Sequence, residues 1–185
     1  VFMVLAQSAA AAASQAIDKG IGVQEVNTDQ LRHELTSDPY ADGSAADIIV
    51  DNEDASQIEL NGSWASENRG GYGPTFLEDT SNAQTPKSAR FTPEIVREGN
   101  YDIYTYYPKL QNGASITPVV VFDGTQHTEK LIDKSKVEVI GQTSGEWVSL
   151  GKYTLSKGKK AYVEISNKNA DGAIVADAIL FVPEK

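Results

Sequence analysis

Trp64 and Tyr72 stand in a glycine-rich stretch, NGSWASENRGGYGP, with Asn61, Glu67, Asn68 and Arg69 beside them. Flat rings next to amides and charges suit a saccharide, because the rings stack on C–H faces while the polar groups fork hydrogen bonds to hydroxyls. A competing role for Trp64 is to plug a β-sandwich, with glycines that merely turn the chain. Trp147 lies in an alternating segment that runs into Leu150-Gly151, and it reads as core. A second group is acidic. Asp177 sits inside the otherwise apolar segment 174–182, where a lone carboxylate is costly unless paired or coordinated. First and last strands of an antiparallel sandwich often lie side by side. That would bring Asp51 or Glu53 to Asp177 and create an all-oxygen site for Ca²⁺. The alternative is an Asp177 that accepts backbone or hydroxyl hydrogen bonds.

Catalytic chemistry finds little to stand on. Without cysteine there is no thiolate nucleophile, thiolate metal site or disulfide, and the two histidines, His33 and His127, are far apart. Asp and Glu are scattered with no pair suited to glycoside hydrolysis, and no nucleophile-elbow motif is present. Tyr104, Tyr106 and Tyr107 cluster with Arg97, but a tyrosine run on a strand is ordinarily packing. The expectation is no catalytic residue in this chain. A net charge of −10 and a pI near 4.6 repel phosphate backbones and anionic lipid, so neither nucleic acid nor a membrane surface is an expected partner. No apolar run is long enough to span a bilayer.

The elements that must hold these residues change character along the chain. In 185 residues, 40% apolar and 23% charged, there is room for one domain and some attached structure. Residues 2–19 have helical periodicity, with Phe2, Leu5, Ala6, Ala9, Ala13, Ala16 and Ile17 on one arc and Gly20 as the stop. The first sixteen residues of the chain, VFMVLAQSAAAAASQA, begin with Val and lack a basic leading region, and they read as cut from something longer. A second helix starts at Asn27 as cap, with Gln30 closing a capping box, Val26 and Leu31 as staple, and Pro39 ending it. Small polar residues then form a linker.

Beyond it the period becomes two. Strands are expected at 47–52, 88–95, 100–107, 117–122, 126–133, 136–142, 147–155, 160–166 and 174–182, separated by turn pairs such as Asp123-Gly124 and Lys157-Gly158. The expected fold class is mainly β, an antiparallel two-sheet sandwich of jelly-roll type, with a short N-terminal helical segment. The expected organisation is a helical remnant over 1–40, a linker over 41–46 and the sandwich over 47–185. Residues 58–87 read as one long irregular loop, a usual home of function.

Several landmarks of the β region also carry a resemblance. They are Ile49-Val50-Asp51-Asn52, Gly62-Ser63-Trp64, Gly71-Tyr72-Gly73, Ala89-x-Phe91-Thr92-Pro93 and Gly99-Asn100-Tyr101-x-Ile103-Tyr104. Glu146-Trp147-Val148-x-Leu150-Gly151-x-Tyr153 and Val175-Ala176-Asp177-Ala178-Ile179 complete the series. In this order and spacing, residues 48–182 resemble the golvesin C-terminal-like domain, also called the xanthan-lyase carbohydrate-binding-like domain. Related carbohydrate-binding jelly rolls hold a structural calcium near the place of Asp51, Glu53 and Asp177. The first residues carry a second resemblance, through Phe2-Met3-Val4-Leu5-Ala6-Gln7-Ser8-Ala9-Ala10, Ala16-Ile17-Asp18, Val23-Gln24-Glu25-Val26 and Leu31-Arg32. They look like the end of the catalytic domain of a bacterial FAD-dependent oxidoreductase family, some members of which are labelled xanthan lyases. Ala6 replaces the glycine of that family's Gly-Gln-Ser turn, and the Gly-x-Gly-x-x-Gly fingerprint is absent. FAD is therefore expected in a parent protein and not in this chain.

The resemblances imply a secreted or periplasmic, non-catalytic C-terminal accessory module of a larger FAD-dependent oxidoreductase or polysaccharide-active enzyme. Its expected partners are a polysaccharide or oligosaccharide, bound through Trp64, Tyr72, Asn61, Glu67, Asn68 and Arg69, and the preceding catalytic domain. The alanine-rich face of the first helix adds an expectation of self-association. The alternatives are a fragment of a xanthan-lyase-type polysaccharide lyase and a purely structural cap.

Overall fold

The computed structural model describes residues 2–36, 45–81, 83–141 and 143–184. They divide into two units, Val1–Ser44 and Ala45–Lys185. In the first, α1 (Phe2–Lys19) and α2 (Thr28–Thr36) pack on each other. The Asn27 carboxamide oxygen accepts from the Asp29 and Gln30 N–H groups at 3.0 and 2.9 Å, which satisfies two donors that a helix start leaves open. The Gln30 side chain turns instead to the Lys19 ammonium. Along α1, Gln15 and Ala16 are buried whereas Ile17 is exposed, so the face that meets α2 is rotated from the expected arc. The Gln15 amide explains the rotation, since it reaches Glu34 of α2. The side chains of Phe2 and Leu5 lie outside the described residues, as do residues 37–44, which include Pro39 and the first part of the expected linker.

The second unit contains β1 (Ile48–Val50), β2 (Ile58–Asn61), β3 (Ala65–Glu67), β4 (Phe76–Asp79), β5 (Ser88–Phe91) and β6 (Gly99–Pro108). It continues with β7 (Ile116–Phe122), β8 (His127–Asp133), β9 (Gly145–Leu155), β10 (Tyr162–Ser166), β11 (Ile174–Ala176) and β12 (Ile179–Pro183). A four-stranded sheet runs β1-β12-β6-β9 and a five-stranded sheet runs β2-β5-β10-β7-β8, with every pair antiparallel. Both contribute to one core. Ile103, Leu150, Ile179 and Phe181 from the first meet Phe91, Val121, Val163 and Ile165 from the second. Each such side chain, fully buried, stabilises by about 1.5–3 kcal/mol. The fold is thus the expected mainly-β antiparallel sandwich.

Three local expectations change. Residues 58–87 are not one loop: they contain β2, β3 and β4, and β3-β4-β11 form a small third sheet. All of β4 (FLED) is buried, and its polar end hides it from a hydropathy pattern. Residues 136–142 contain no strand among those described. Asp133 caps a short 3₁₀ turn, Lys134–Lys136, and Val137 follows as a buried plug whose carbonyl accepts from the Lys109 ammonium. Finally, 174–182 is two strands in two sheets, β11 beside β4 and β12 beside β6, parted at Asp177-Ala178.

Candidate functional site

Asp177 stands at that break and is completely buried. Its Oδ2 accepts the Tyr72 N–H at 2.8 Å, and its Oδ1 has no hydrogen-bond partner. Burial pushes the carboxyl from 3.8 up to about 7, the Tyr72 N–H opposing and the charge of Asp51 adding. Asp51 is also raised, first by burial, then by the charges of Asp54 and Glu53, against a hydrogen bond from the Glu53 N–H. Two glycines let the chain pass between these carboxylates. A Cβ on Gly71 would lie 2.8 Å from the Thr75 carbonyl oxygen and 3.1 Å from Asp177 Oδ2, and one on Gly73 would lie 2.9 Å from Asp51 Oδ2. The loop 71–73 is therefore clamped on Asp177 and Asp51. Glu53 is exposed and accepts the Thr75 hydroxyl at 2.9 Å. Among the described residues no group of three or more His, Cys, Asp or Glu is arranged to hold a metal. A cation here would rest on Asp51 and Asp177, a donor set that fits a hard ion and leaves the orphaned Oδ1 as its clearest open position.

The clamp fixes the ring of Tyr72. It stands 5.8 Å from the ring of Tyr106 and 5.1 Å from that of Trp147, and those two are 5.3 Å apart, all tilted or edge-on. Such pairs contribute about 0.5–1.5 kcal/mol each beyond area. Tyr106 and Trp147 are directly opposed across β6 and β9. Both are half-buried and neither belongs to the core, while Tyr72 is 45% exposed. The three rings form a rigid aromatic face. Beside it opens a groove of about 420 Å³, lined by Leu131, Val137, Glu138, Glu146, Trp147 and Val148. Loop 70 is held against this edge by the Ser144 hydroxyl, which donates to the Gly70 carbonyl at 2.6 Å.

The remaining residues of the expected saccharide site are dispersed. Trp64 is half-buried against the core, and its indole N–H donates to the Asn61 carbonyl at 3.3 Å. Asn61 lines a different groove, with Lys87, Ser88 and Asn167. Arg69 is a strut: it reaches Glu78 at 2.6 Å and Glu67 at 3.3 Å and lies over the Phe76 ring. Asn68 is exposed. The structure thus separates Trp64 from Tyr72 and brings Tyr72 together with Tyr106 and Trp147, two residues that alternation alone assigns to packing.

A polar cluster nearby is structural. Burial alone would raise the Asp79 carboxyl, but the Lys87 ammonium, Ser81 and Asn167 hold it below its ordinary value. Lys87 sits 2.7 Å away with 15% exposure against 1% for Asp79.

Comparison with known proteins adds the following. A family model described as the Golvesin C-terminal domain matches residues 48–183. A xanthan lyase of Bacillus sp. (strain GL1) is 31% identical over 156 residues, which cover 80% of this chain and 16% of that enzyme. The structure of a Paenibacillus xanthan lyase superposes with a TM-score of 0.67 at 27% identity, over 75% of this chain and 13% of the other. A family 35 carbohydrate binding module from Clostridium thermocellum gives a TM-score of 0.51 at 14% identity, over 76% of this chain and all (100%) of that module, a likeness of fold. The chain therefore spans only a small part of the lyases it matches. No helix among the described residues is long and apolar enough to cross a membrane.

Proposed function

The chain belongs to the golvesin C-terminal domain family, and from that premise we propose that it is a non-catalytic accessory module that holds a larger carbohydrate-active enzyme on its substrate. The observation that carries this reading is the partly exposed face of Tyr72, Tyr106 and Trp147, with the Tyr72 backbone anchored on Asp177. Rings held apart at an angle give a sugar two or three C–H contact surfaces without reorganisation, and the Glu146 and Glu138 side of the adjoining groove supplies hydrogen-bond acceptors. A shallow site orders few groups, so a Kd of about 0.1–1 mM is expected. The likeness to xanthan lyases supports a polysaccharide-active parent, and secretion or a periplasmic place belongs to the same proposal. A flavin oxidoreductase as the parent rests on the resemblance of residues 2–32 alone, and the upstream sequence decides it. A calcium ion on Asp51 and Asp177 is a further part of the reading, supported by the partnerless Asp177 Oδ1.

The test is an NMR titration of the whole chain with neutral and acidic oligosaccharides. Shifts should centre on Tyr72, Tyr106 and Trp147, and Tyr72→Ala or Trp147→Ala should each weaken binding about tenfold or more. No shift anywhere at millimolar sugar would leave the structural-cap role.

A further inference from the structure

The edge strands of the two sheets, β8 and β9, leave a second and larger groove at their other end. It has a volume of about 680 Å³, and Asp123, Thr125, Thr128, Lys130, Tyr153 and Thr154 are among the residues that line it. In β8 the residues Thr128, Lys130 and Ile132 are the less exposed set, so Lys130 points toward the sandwich and not away from it. An inward lysine on an edge strand guards against pairing with another chain, yet here its surroundings are built. Gly151 has φ +111°, and a Cβ on it would lie 3.6 Å from the Lys130 ammonium and 3.5 Å from the Tyr153 ring. Ammonium and ring thus converge over bare backbone. Tyr153 leans on the core and is fixed by its hydroxyl, which donates to the Leu150 carbonyl at 2.9 Å.

The charges of the groove are unequal in their freedom. Asp123 is consumed by its own turn, where one oxygen accepts from the Thr125 N–H, the Thr125 hydroxyl and the Gln126 N–H. Lys152 is held by Glu184 at 2.8 Å and faces Asp102 at 3.9 Å. The Lys130 ammonium has neither a hydrogen bond nor an ion pair among the described residues. One unspent cation, a fixed ring and several hydroxyls match the two halves of one chemistry, a sugar bearing a carboxylate.

We propose that this groove is a second saccharide subsite, taking a carboxylate-bearing sugar with Lys130 as counter-ion and Tyr153 as wall. It is separate from the Tyr72 face, and either can fail without the other. The test titrates the whole chain with digalacturonate, with the neutral digalactose, and with inorganic phosphate, reading backbone amides. Digalacturonate should shift Thr128, Lys130, Gly151 and Tyr153, and Lys130→Gln should weaken that binding about fivefold while leaving neutral sugar unaffected. Raising salt to about 1 M, where the Debye length is about 3 Å, should have a similar effect. Three outcomes would overturn the proposal: shifts confined to Tyr72 and Trp147, an unchanged Lys130→Gln variant, or inorganic phosphate binding as tightly as the sugar acid.

Discussion

Replacing Asp177 by asparagine keeps the side chain's shape and an oxygen for the Tyr72 N–H, and removes only the ionisable proton. In the folded chain this carboxyl titrates at about 7 instead of 3.8, because it is buried. The native state therefore holds the proton more tightly than the unfolded chain across that interval. Stability from Asp177 is full below about pH 4, declines as pH rises, and levels off above about pH 7. At about 1.4 kcal/mol per pH unit the whole decline is on the order of 4 kcal/mol. Asp79, Asp123, Asp133, Asp171 and Glu184 are held below their ordinary values, so their contribution is lost only as pH falls below about 4. Asp51 is also raised, so its contribution falls in the same direction as pH rises, but it is present in both chains, and the difference between them reports Asp177 together with its repulsion of Asp51. Urea unfolding in EDTA at about pH 5 and about pH 8 is the assay. Between those two pH values the variant should gain about 2–3 kcal/mol on the wild type, the part of the decline that lies above about pH 5. Calcium at about a hundred times its Kd should restore roughly 2.7 kcal/mol to the wild type at the higher pH and nothing to the variant. Identical pH profiles for the two chains would refute the reasoning, since the carboxylate would then be ionised without penalty. Identical profiles with and without calcium would remove the cation alone.

Lys87→Met leaves Asp79 without its cation, in a site where Asp79 is 1% exposed and only the neutral Asn167 and Ser81 groups remain beside it. It should lower stability by about 3 kcal/mol in urea, and a loss below about 1 kcal/mol would show the pair to be solvated. Residues 45–185 should fold without the helical unit, because the core described for the sandwich lies wholly within them. A dispersed amide spectrum of that fragment checks this, and a collapsed one would contradict it.

Alternation made most of the sandwich legible, and the failures share a cause. β4 carries Glu78 and Asp79 on a strand buried on both faces. Such a strand reads as apolar only if its charges are discounted, and those charges are stable only because Arg69 and Lys87 come from elsewhere in the chain to meet them. The pairing is tertiary and leaves no mark at the strand itself. The split of 174–182 is similar. An apolar run with one Asp reads as a single strand. The reason it changes sheet is that Asp177 must meet Tyr72 from a loop more than a hundred residues earlier, a sequence separation of 105.

The aromatic face was concealed by one residue of register. β6 presents Tyr101, Ile103, Thr105 and Tyr107 inward and Tyr104 and Tyr106 outward, without interruption. Counting back along β9 from buried Leu155 in steps of two also puts Tyr153, Gly151, Ser149 and Trp147 inward. The pairing slips between Ile103 and Tyr104, however: Ile103 opposes Gly151 while Tyr104 opposes Ser149, so Leu150 is an extra residue. A bulge of this kind turns every later side chain to the other face. Leu150 goes into the core and Trp147 comes out opposite Tyr106, where Tyr72 can reach both. Gly151, at φ +111°, supplies the backbone that a bulge requires. The Leu150-Gly151 pair that marks Trp147 as core under simple alternation is thus the feature that delivers it to the surface. The same glycine opens the floor beneath Lys130 and Tyr153. One bulge shapes both candidate saccharide surfaces, and because Leu150 is its extra residue, deleting Leu150 leaves the pairing of residues 145–149 with β6 unchanged: Trp147 should stay opposite Tyr106 and the ring cluster should survive, while the core loses a buried leucine. Retained Tyr72–Trp147 ring-current shifts would register that outcome, and their loss would show that the cluster depends on Leu150 itself and not on the register of β9.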